Sequence, residues 1–226
     1  MPKPILAFSC CHAPAMRPDF PRFLKSIYKK HNCGRVINLG DGVDWNSISF
    51  HEKDPSLPSA AEEFRQARKQ MQQLYRAFPE CDYLIGNHSD LPSRKAKSIG
   101  LPDEVIKSFA DTWGVSNWRV HPRFTDLEIG GVIFRHGDKC KGGQMAALAN
   151  AVSEFKSVVQ GHHHSLGGVW YHSNQGKLVY GLQVGSGAVH DHPAMKYSRI
   201  YAKKPIIGCG VVYSDTLAYF EPMKIS

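Results

Sequence analysis

The sequence lacks any apolar run that approaches ~18 residues, the length at which a helix begins to span a membrane. Its N-terminus has only five apolar residues before Ser9, too few for a signal peptide, so we expect a first β-strand and a cytoplasmic protein. The six cysteines contain no C-x-x-C pair, which excludes the thioredoxin-type redox motif and the paired zinc knuckle. Scattered thiols of this kind are expected to stay reduced inside a cell.

Low-complexity linkers and internal repeats are also absent. The 226 residues suffice for one sizeable core, so residues 1–226 are predicted to form a single domain. The formal net charge is +8, with basic clusters at residues 94–97, 139–141 and 196–204. A positive field favours a phosphate-bearing partner, of which nucleic acid is the commonest, although a solvated basic surface explains the charge equally well.

Short apolar runs alternate with amphipathic segments in the first half of the chain, which predicts an α/β fold. Ser59 and Glu62 have the spacing of a capping box before a helical stripe that extends to residue 78. A second helix is predicted after Pro102, with Val105 on its apolar face. A third is predicted with a core-facing stripe of Met145, Leu148, Val152 and Phe155. From Trp118 onward strand-like runs dominate, which indicates a second sheet.

Polar blocks follow the apolar runs throughout the first 164 residues. They read "CCH" at 10–12, "GDGVD" at 40–44, "GNH" at 86–88, "HGD" at 136–138 and "GHHH" at 161–164. A sheet would gather the side chains of these blocks along one edge, and the residues expected there are His12, Asp41, Asn87, His136, His162 and His164. One such block alone is usually a cap or a satisfied polar group, but five in order indicate a site.

Imidazole and carboxylate groups are the ligands of first-row metals such as zinc, iron and manganese. In an extended G-H-x-H segment, His162 and His164 would project to one side and His163 to the other. Asp41 has two oxygens and can bridge two cations, while Asn87 offers a neutral carbonyl oxygen. With Cys10, these residues are enough for two metals about 3.5–4 Å apart, the arrangement that hydrolyses phosphate esters.

The series C-x-H, G-D-x-x-D, G-N-H, H, G-H-x-H resembles that of the calcineurin-like metallophosphoesterase superfamily over residues 5–164. The resemblance implies a four-layer α-β-β-α sandwich with two divalent metal ions, zinc, iron or manganese, at the strand ends. It also implies that His88 is the proton donor to the leaving oxygen. One implied ligand set is Cys10, His12, Asp41 and His164, and the other is Asp41, Asn87, His136 and His162.

Two positions depart from the family pattern. Cys10 stands where most members have Asp. In this respect the first motif resembles that of RNA lariat debranching enzymes, which also has a cysteine there. A thiolate ligand would favour zinc or ferrous iron over magnesium, although Cys10 could instead line a site with one ligand fewer. Ser89 replaces the acid that normally follows His88, so either Asp90 or Asp44 is expected to orient that imidazole.

The leading hypothesis is a two-metal phosphodiesterase whose substrate is DNA, RNA or a nucleotide-like diester. Trp45-Asn46 replaces the Arg-Gly that usually follows this motif in Ser/Thr protein phosphatases, which argues against that subgroup. A 2',5'-phosphodiesterase of the lariat debranching type is one alternative, and a non-catalytic binding scaffold with the same fold is another. A structural zinc site is less consistent with the sequence. Such a site has four protein ligands that close the coordination shell, whereas this sequence offers seven candidate ligands.

Overall fold

The computed structural model describes residues 2–50, 57–140, 142–143, 145–189, 191–192 and 204–224. Lys141 and residues 196–203, which belong to the predicted basic clusters, lie outside the described residues. No helix in the described part of the chain has both the length and the apolar character needed to cross a membrane.

The described part of the chain contains eleven strands and five α-helices. The first half contains β1 (Ile5–Phe8), α1 (Phe20–Lys30), β2 (Arg35–Asn38), α2 (Ala60–Ala77), β3 (Asp82–Leu84), α3 (Leu91–Ser98), α4 (Phe109–Trp113) and β4 (Arg119–His121). The second half contains β5 (Leu127–Ile129), β6 (Val132–Arg135), α5 (Ala146–Glu154), β7 (Ser157–Gln160), β8 (Gly167–Asn174), β9 (Lys177–Val184), β10 (Gly208–Val212) and β11 (Ala218–Pro222). Two short 3-10 helices cover Asn46–Ile48 and Asp103–Val105.

The strands form two sheets. The first has the order β11-β10-β1-β2-β3-β4 and the second the order β5-β6-β7-β9-β8. Strands β1 to β4 are parallel, as are β6, β7 and β9. The carboxyl ends of parallel strands meet at one edge of a sheet, so each sheet offers one edge at which successive loops come together.

Successive side chains of β1 point to opposite faces of the first sheet and show how the layers pack. Ile5 and Ala7 face the second sheet and pack in a cluster with Phe134 and Leu182. Leu6 and Phe8 face the other way and pack with apolar residues of α1 and α2. Helix α5 covers the outer face of the second sheet through Ala151. The structure is therefore the four-layer α-β-β-α sandwich that was expected.

Helix α2 begins where the capping signal predicts. The Ser59 hydroxyl accepts a hydrogen bond from the Glu62 amide at 3.3 Å, whereas the Glu62 carboxylate accepts hydrogen bonds from Arg65 and Gln66. The buried carboxylate of Glu63 accepts the amides of Asn46 and Ser47 at 2.7 and 2.9 Å. This helix therefore anchors the segment that follows the "GDGVD" block.

The predicted helix after Pro102 is wrong in its extent. A 3-10 turn at Asp103–Val105 comes first, and α4 begins only after Ser108, whose hydroxyl accepts the Asp111 amide at 3.1 Å. The backbone becomes extended at Ile106, Ser108 caps the next helix, and Val105 is left 60% exposed. Helix α3 was not predicted, because its short, basic segment has no extended apolar stripe.

The buried face of α5 also differs from the predicted one. Met145 and Phe155 are exposed, and the residues that pack against the sheet are the small Ala146, Ala147 and Ala151. Gly181 of β9 explains the difference, since a Cβ there would lie 2.1 Å from the amide nitrogen of Leu148. The helix backbone rests directly on the strand, and a bulky apolar stripe would not fit between them.

Gly181→Ala is therefore expected to destabilise the fold by about 1–3 kcal/mol, the usual cost of overpacking a close contact. Gly142→Ala is the matched control, because the nearest atom to its added Cβ would be 3.9 Å away. The free energy of unfolding from urea titrations measures both changes. Equal free energies for the two variants would contradict the close approach of α5 to β9.

Candidate metal centre

Five loops converge at the carboxyl ends of the parallel strands. The loops after β1, β2 and β3 belong to the first sheet, and those after β6 and β7 belong to the second. The first two loops are joined by backbone hydrogen bonds, from the Cys10 amide to Gly40 and from the His12 amide to Asp41, both at 2.9 Å. These bonds hold the "CCH" and "GDGVD" blocks side by side.

Four of the predicted ligands have left-handed backbone conformations. The φ angles are 54° for Cys10, 48° for His12, 51° for Asp41 and 65° for His162. The backbone therefore bends at His162, which corrects the expectation that the "GHHH" block is extended. Residues other than glycine rarely adopt this backbone conformation, and such strain is concentrated at functional sites.

One group of candidate ligands consists of Cys10, His12 and His164. Their donor atoms lie within 4.8 Å of one another, and the Nε2 atoms of the two histidines are 3.0 Å apart. Burial lowers the pKa of His164 well below its usual value, and the neighbouring His12 lowers it further. The imidazole is therefore neutral at pH 7, the form that binds metal ions.

A second group consists of Cys10, Asp41 and His136, again with donor atoms within 4.8 Å of one another. The Nε2 atom of His136 lies 3.0 Å from Asp41 Oδ2 and 3.1 Å from Asn87 Oδ1. His162 lies beside this group, with its ring centroid 5.2 Å from that of His136. All seven sequence-predicted ligands thus meet in one cluster, and Cys10 is common to its two halves.

Hydrogen bonds on the far side of two imidazoles orient them toward the cluster. Nδ1 of His12 donates to Asp44 Oδ1 at 2.7 Å, and Nδ1 of His136 donates to the Leu39 carbonyl at 2.8 Å. Each bond keeps a proton on Nδ1 at the far side and turns Nε2 toward the cluster, the usual support of a metal-bound histidine. The donor set therefore fits divalent cations of the zinc, iron and manganese type.

Asp41 turns one oxygen toward the cluster. Its Oδ1 accepts the backbone amides of His88 and Ser89 at 2.9 and 3.2 Å, and its Oδ2 is the oxygen that faces His136. Burial alone would raise the pKa of this carboxyl, but the charge and hydrogen bond of His136 outweigh it and hold the pKa well below normal. The group is an anion at neutral pH. A Cβ at Gly86 would lie 2.3 Å from Oδ1, so only glycine fits there.

The Cys10 sulfur is buried between the "CCH" and "GHHH" blocks. The His162 amide donates to it at 3.3 Å, and the Ser9 hydroxyl lies 3.1 Å away. Burial raises the pKa of the thiol, and the charge of Asp41 raises it further, so a cation is needed to hold the thiolate. Cys11 lies instead in the apolar cluster between the first sheet and its helices.

His88 lies at the more open side of the cluster. Its Nδ1 is 3.0 Å from both the backbone oxygen and the Oδ1 atom of Asp44. Burial opposes protonation, but the hydrogen bond to Asp44 outweighs it and raises the pKa of His88 to about 9. Burial likewise would raise the pKa of Asp44, yet its hydrogen bonds to the two histidines lower it to about 2.

The two carboxylates expected to orient His88 have different partners. Asp44 contacts His88 and His12, whereas Asp90 accepts a hydrogen bond from Arg123 Nη1 at 3.3 Å. The same arginine donates to Asp138 Oδ2 from Nε at 2.8 Å. The structure therefore brings Asp44, and not Asp90, to the imidazole of His88.

Several supporting residues were missed by the sequence analysis. The Ser186 hydroxyl donates to the Cys10 carbonyl at 2.9 Å, and the Tyr83 hydroxyl lies 2.6 Å from Ser89 Oγ. Tyr83 also accepts the Gly42 amide at 2.9 Å, so it joins the "GDGVD" and "GNH" blocks. A Cβ at Gly161 would lie 2.1 Å from Ser9 Oγ, which explains that glycine. Ser186 and Tyr83 lie outside the metal-ligand motifs and were not identifiable from spacing.

Cys10→Ser is expected to weaken zinc binding by at least about tenfold, which is the lower limit for losing even an outer partner of a ligand. The loss of manganese affinity should be smaller, because a hydroxyl is a harder ligand than a thiolate. Titrations of Cys10→Ser and Cys11→Ser with zinc and with manganese measure these affinities.

Cys11→Ser is the matched control. It should retain zinc affinity but lose about 1–3 kcal/mol of stability, because it places a hydroxyl in an apolar cluster. If Cys10→Ser binds zinc as the unmodified chain does while Cys11→Ser does not, Cys10 is not a ligand.

Known proteins resemble this chain in structure but not in sequence. No protein-family model matches the sequence, and no curated protein matches it. A metallophosphoesterase from Sphaerobacter thermophilus aligns with a TM-score of 0.51 over 100% of this chain and 90% of its own, at 13% identity. Vps29 from Chaetomium thermophilum aligns with a TM-score of 0.53 over 98% and 89%, at 11% identity. The chain therefore has the fold of the calcineurin-like metallophosphoesterases.

Proposed function

We propose that this protein is a metal-dependent phosphodiesterase that acts on nucleic acid or on a nucleotide-like diester. The observation that carries the proposal is the position of His88 beside a cluster of seven candidate ligands, with its Nδ1 held by Asp44. A histidine so oriented beside buried ligands can deliver a proton from Nε2 to a group that reacts there.

The proposed centre holds two divalent ions, zinc, iron or manganese. Cys10, His12, Asp41 and His164 would hold one, and Asp41, Asn87, His136 and His162 the other, with Cys10 within reach of both. Two such ions, when bound, neutralise charge on the phosphoryl oxygens during in-line displacement. A cytoplasmic location suits this ligand set, since the Cys10 thiol is free in the structure and would stay reduced there.

The residues of the chain then have separate roles. His88 donates a proton to the departing oxygen, and Asp44 fixes its tautomer and position. Asp41 is held by two backbone amides, so its carboxylate does not rotate away from the ligand cluster. Asp90 does not orient His88 and instead forms an ion pair with Arg123.

The net charge of +8 favours a polyanionic substrate over a small neutral ester. Cys10 keeps a branched 2',5'-linked RNA among the diesters to be tested. The alternative hypothesis is a non-catalytic scaffold with the same fold. A scaffold would not need a buried cluster of pre-oriented imidazoles. Metal dependence separates the two hypotheses.

Chelator treatment is expected to abolish turnover of bis(p-nitrophenyl) phosphate, and zinc, iron or manganese should restore it. The rate of nitrophenolate release measures this, with metal content verified on the same samples. Full activity after verified loss of metal would contradict the proposed centre, and the absence of activity in the metal-loaded protein would favour the scaffold.

His88→Ala is expected to lower turnover by about 10²–10⁴-fold on diesters with alkoxide leaving groups, the usual contribution of a general acid. The loss should be smaller on nitrophenyl esters, because nitrophenolate departs without a proton. Steady-state kcat on the two substrate types measures the contrast. Equal losses on both would show that His88 is not the proton donor.

A further inference from the structure

Two phenylalanines near the metal centre are exposed and surrounded by cations. Phe50 is 52% exposed, and the Lys95 ammonium lies 3.7 Å from its ring centroid, with Arg94 at 5.1 Å. Phe124 is 48% exposed, and its ring has the Arg123 guanidinium at 4.4 Å and the Lys139 ammonium at 5.7 Å. Neither ring is needed to fill the apolar core.

Both rings are connected to the loop that carries His88. The Arg94 amide donates to the Asp90 carbonyl at 3.0 Å, and its guanidinium donates to the Asn87 carbonyl at 3.3 Å. On the other side, Arg123 donates to the Asp90 carboxylate at 3.3 Å. Asp90 follows His88 by two residues, so Arg94 and Arg123 tie the segments beside Phe50 and Phe124 to the loop of the candidate proton donor.

A cleft of about 720 Å³ begins at this loop. Ser89 and Asp90 form part of its wall, and so do Phe124, Trp45 and Lys107. Its size is that of ordinary sites for small organic molecules, and aromatic walls suit flat rings. Phe124 has a φ of 68°, a strained conformation that directs an apolar side chain to the rim of the cleft.

We infer that a single-stranded nucleic acid binds across this surface, with bases stacked on Phe50 and Phe124. Exposed aromatic rings bind bases of any sequence, and flanking lysines and arginines bind the phosphates between them. Bases in a duplex are already stacked on each other and cannot reach the rings. The inference rests on the proposed function for the placement of a diester at His88.

The cations favour this partner over a protein. Lys95 reaches the Phe50 ring from a flexible stem, so its ammonium can move to a phosphate while the ring accepts a base. The Lys139 ammonium donates to the Phe124 carbonyl at 2.9 Å, which keeps a positive charge beside that ring. An apolar protein patch would leave these charges without partners, which is costly in a closed interface. A polyanion with flat bases satisfies the rings and the charges together.

Binding is tested on the full, metal-loaded chain in a His88→Ala background, where cleavage is slowed. The probe is a fluorescein-labelled oligothymidylate of 12 nucleotides, followed by anisotropy. Phe50→Ala and Phe124→Ala should each weaken affinity by at least about fivefold, the lower range for the loss of one stacked base. Phe124→Trp should retain affinity, because its π-face is larger, whereas Phe124→Leu should lose it.

Phe155→Ala is the matched control. Phe155 is 58% exposed and has a φ of 52°, but it precedes β7 and so lies at the end of that strand opposite the metal centre. Its loss should change oligothymidylate affinity by less than about twofold. Because all three phenylalanines are exposed, the variants are expected to fold, and their circular dichroism and thermal melts check this.

Unchanged binding by both Phe50→Ala and Phe124→Ala would overturn the inference. It would also be overturned by an equal loss in Phe155→Ala, by equal losses on a duplex, or by the absence of oligothymidylate binding at low salt. The proposed function fails on a different result, namely no metal-dependent hydrolysis of bis(p-nitrophenyl) phosphate by the unmodified chain. Oligothymidylate binding through the two phenylalanines could persist in that case, so the two failures are distinguishable.

Discussion

The buried carboxylate of Asp44 holds a candidate metal ligand and a candidate proton donor at the same time. Its Oδ1 lies 2.7 Å from Nδ1 of His12 and 3.0 Å from Nδ1 of His88. A buried carboxylate without such partners would become neutral, but these two hydrogen bonds lower its pKa to about 2. Both imidazoles therefore present Nε2 to the site, and their relative position is set by one anion. Glu63 of α2 supports the Asp44 segment, because its carboxylate accepts the amides of Asn46 and Ser47 two and three residues further on.

The sandwich is needed because neither sheet has a complete ligand set. Cys10, Asp41 and Asn87 follow strands of the first sheet, while His136 and His164 follow strands of the second. The apolar layer between the sheets fixes how these two edges face each other. Strained left-handed residues, each of which costs about 1–3 kcal/mol, persist only where surrounding structure holds them in place. The packed core and the backbone bonds between loops provide that constraint here.

Sequence order was sufficient to predict which side chains meet, because a parallel sheet brings polar residues after successive strands to one edge. The local geometry was not predictable. Spacing alone could not distinguish an extended "GHHH" segment from the observed turn at His162, nor show that Asp90 pairs with Arg123. The buried face of α5 depends on Gly181, more than 25 residues away in sequence, so the apolar stripe of the helix gave the wrong face. Local patterns fail where a distant residue determines the packing.

Arg123 connects the candidate centre to the surface beside it. It joins Asp90, which follows the "GNH" block of the first sheet, to Asp138, which follows His136 of the second. Asp138 is almost fully buried, so its charge requires this partner, and the guanidinium is held at a fixed position between the two loops. The same guanidinium lies 4.4 Å from the Phe124 ring. A base stacked on Phe124 would therefore contact a residue that fixes the spacing of the loops bearing His88 and His136. One arginine thus joins two loops of the candidate centre to the exposed ring of Phe124.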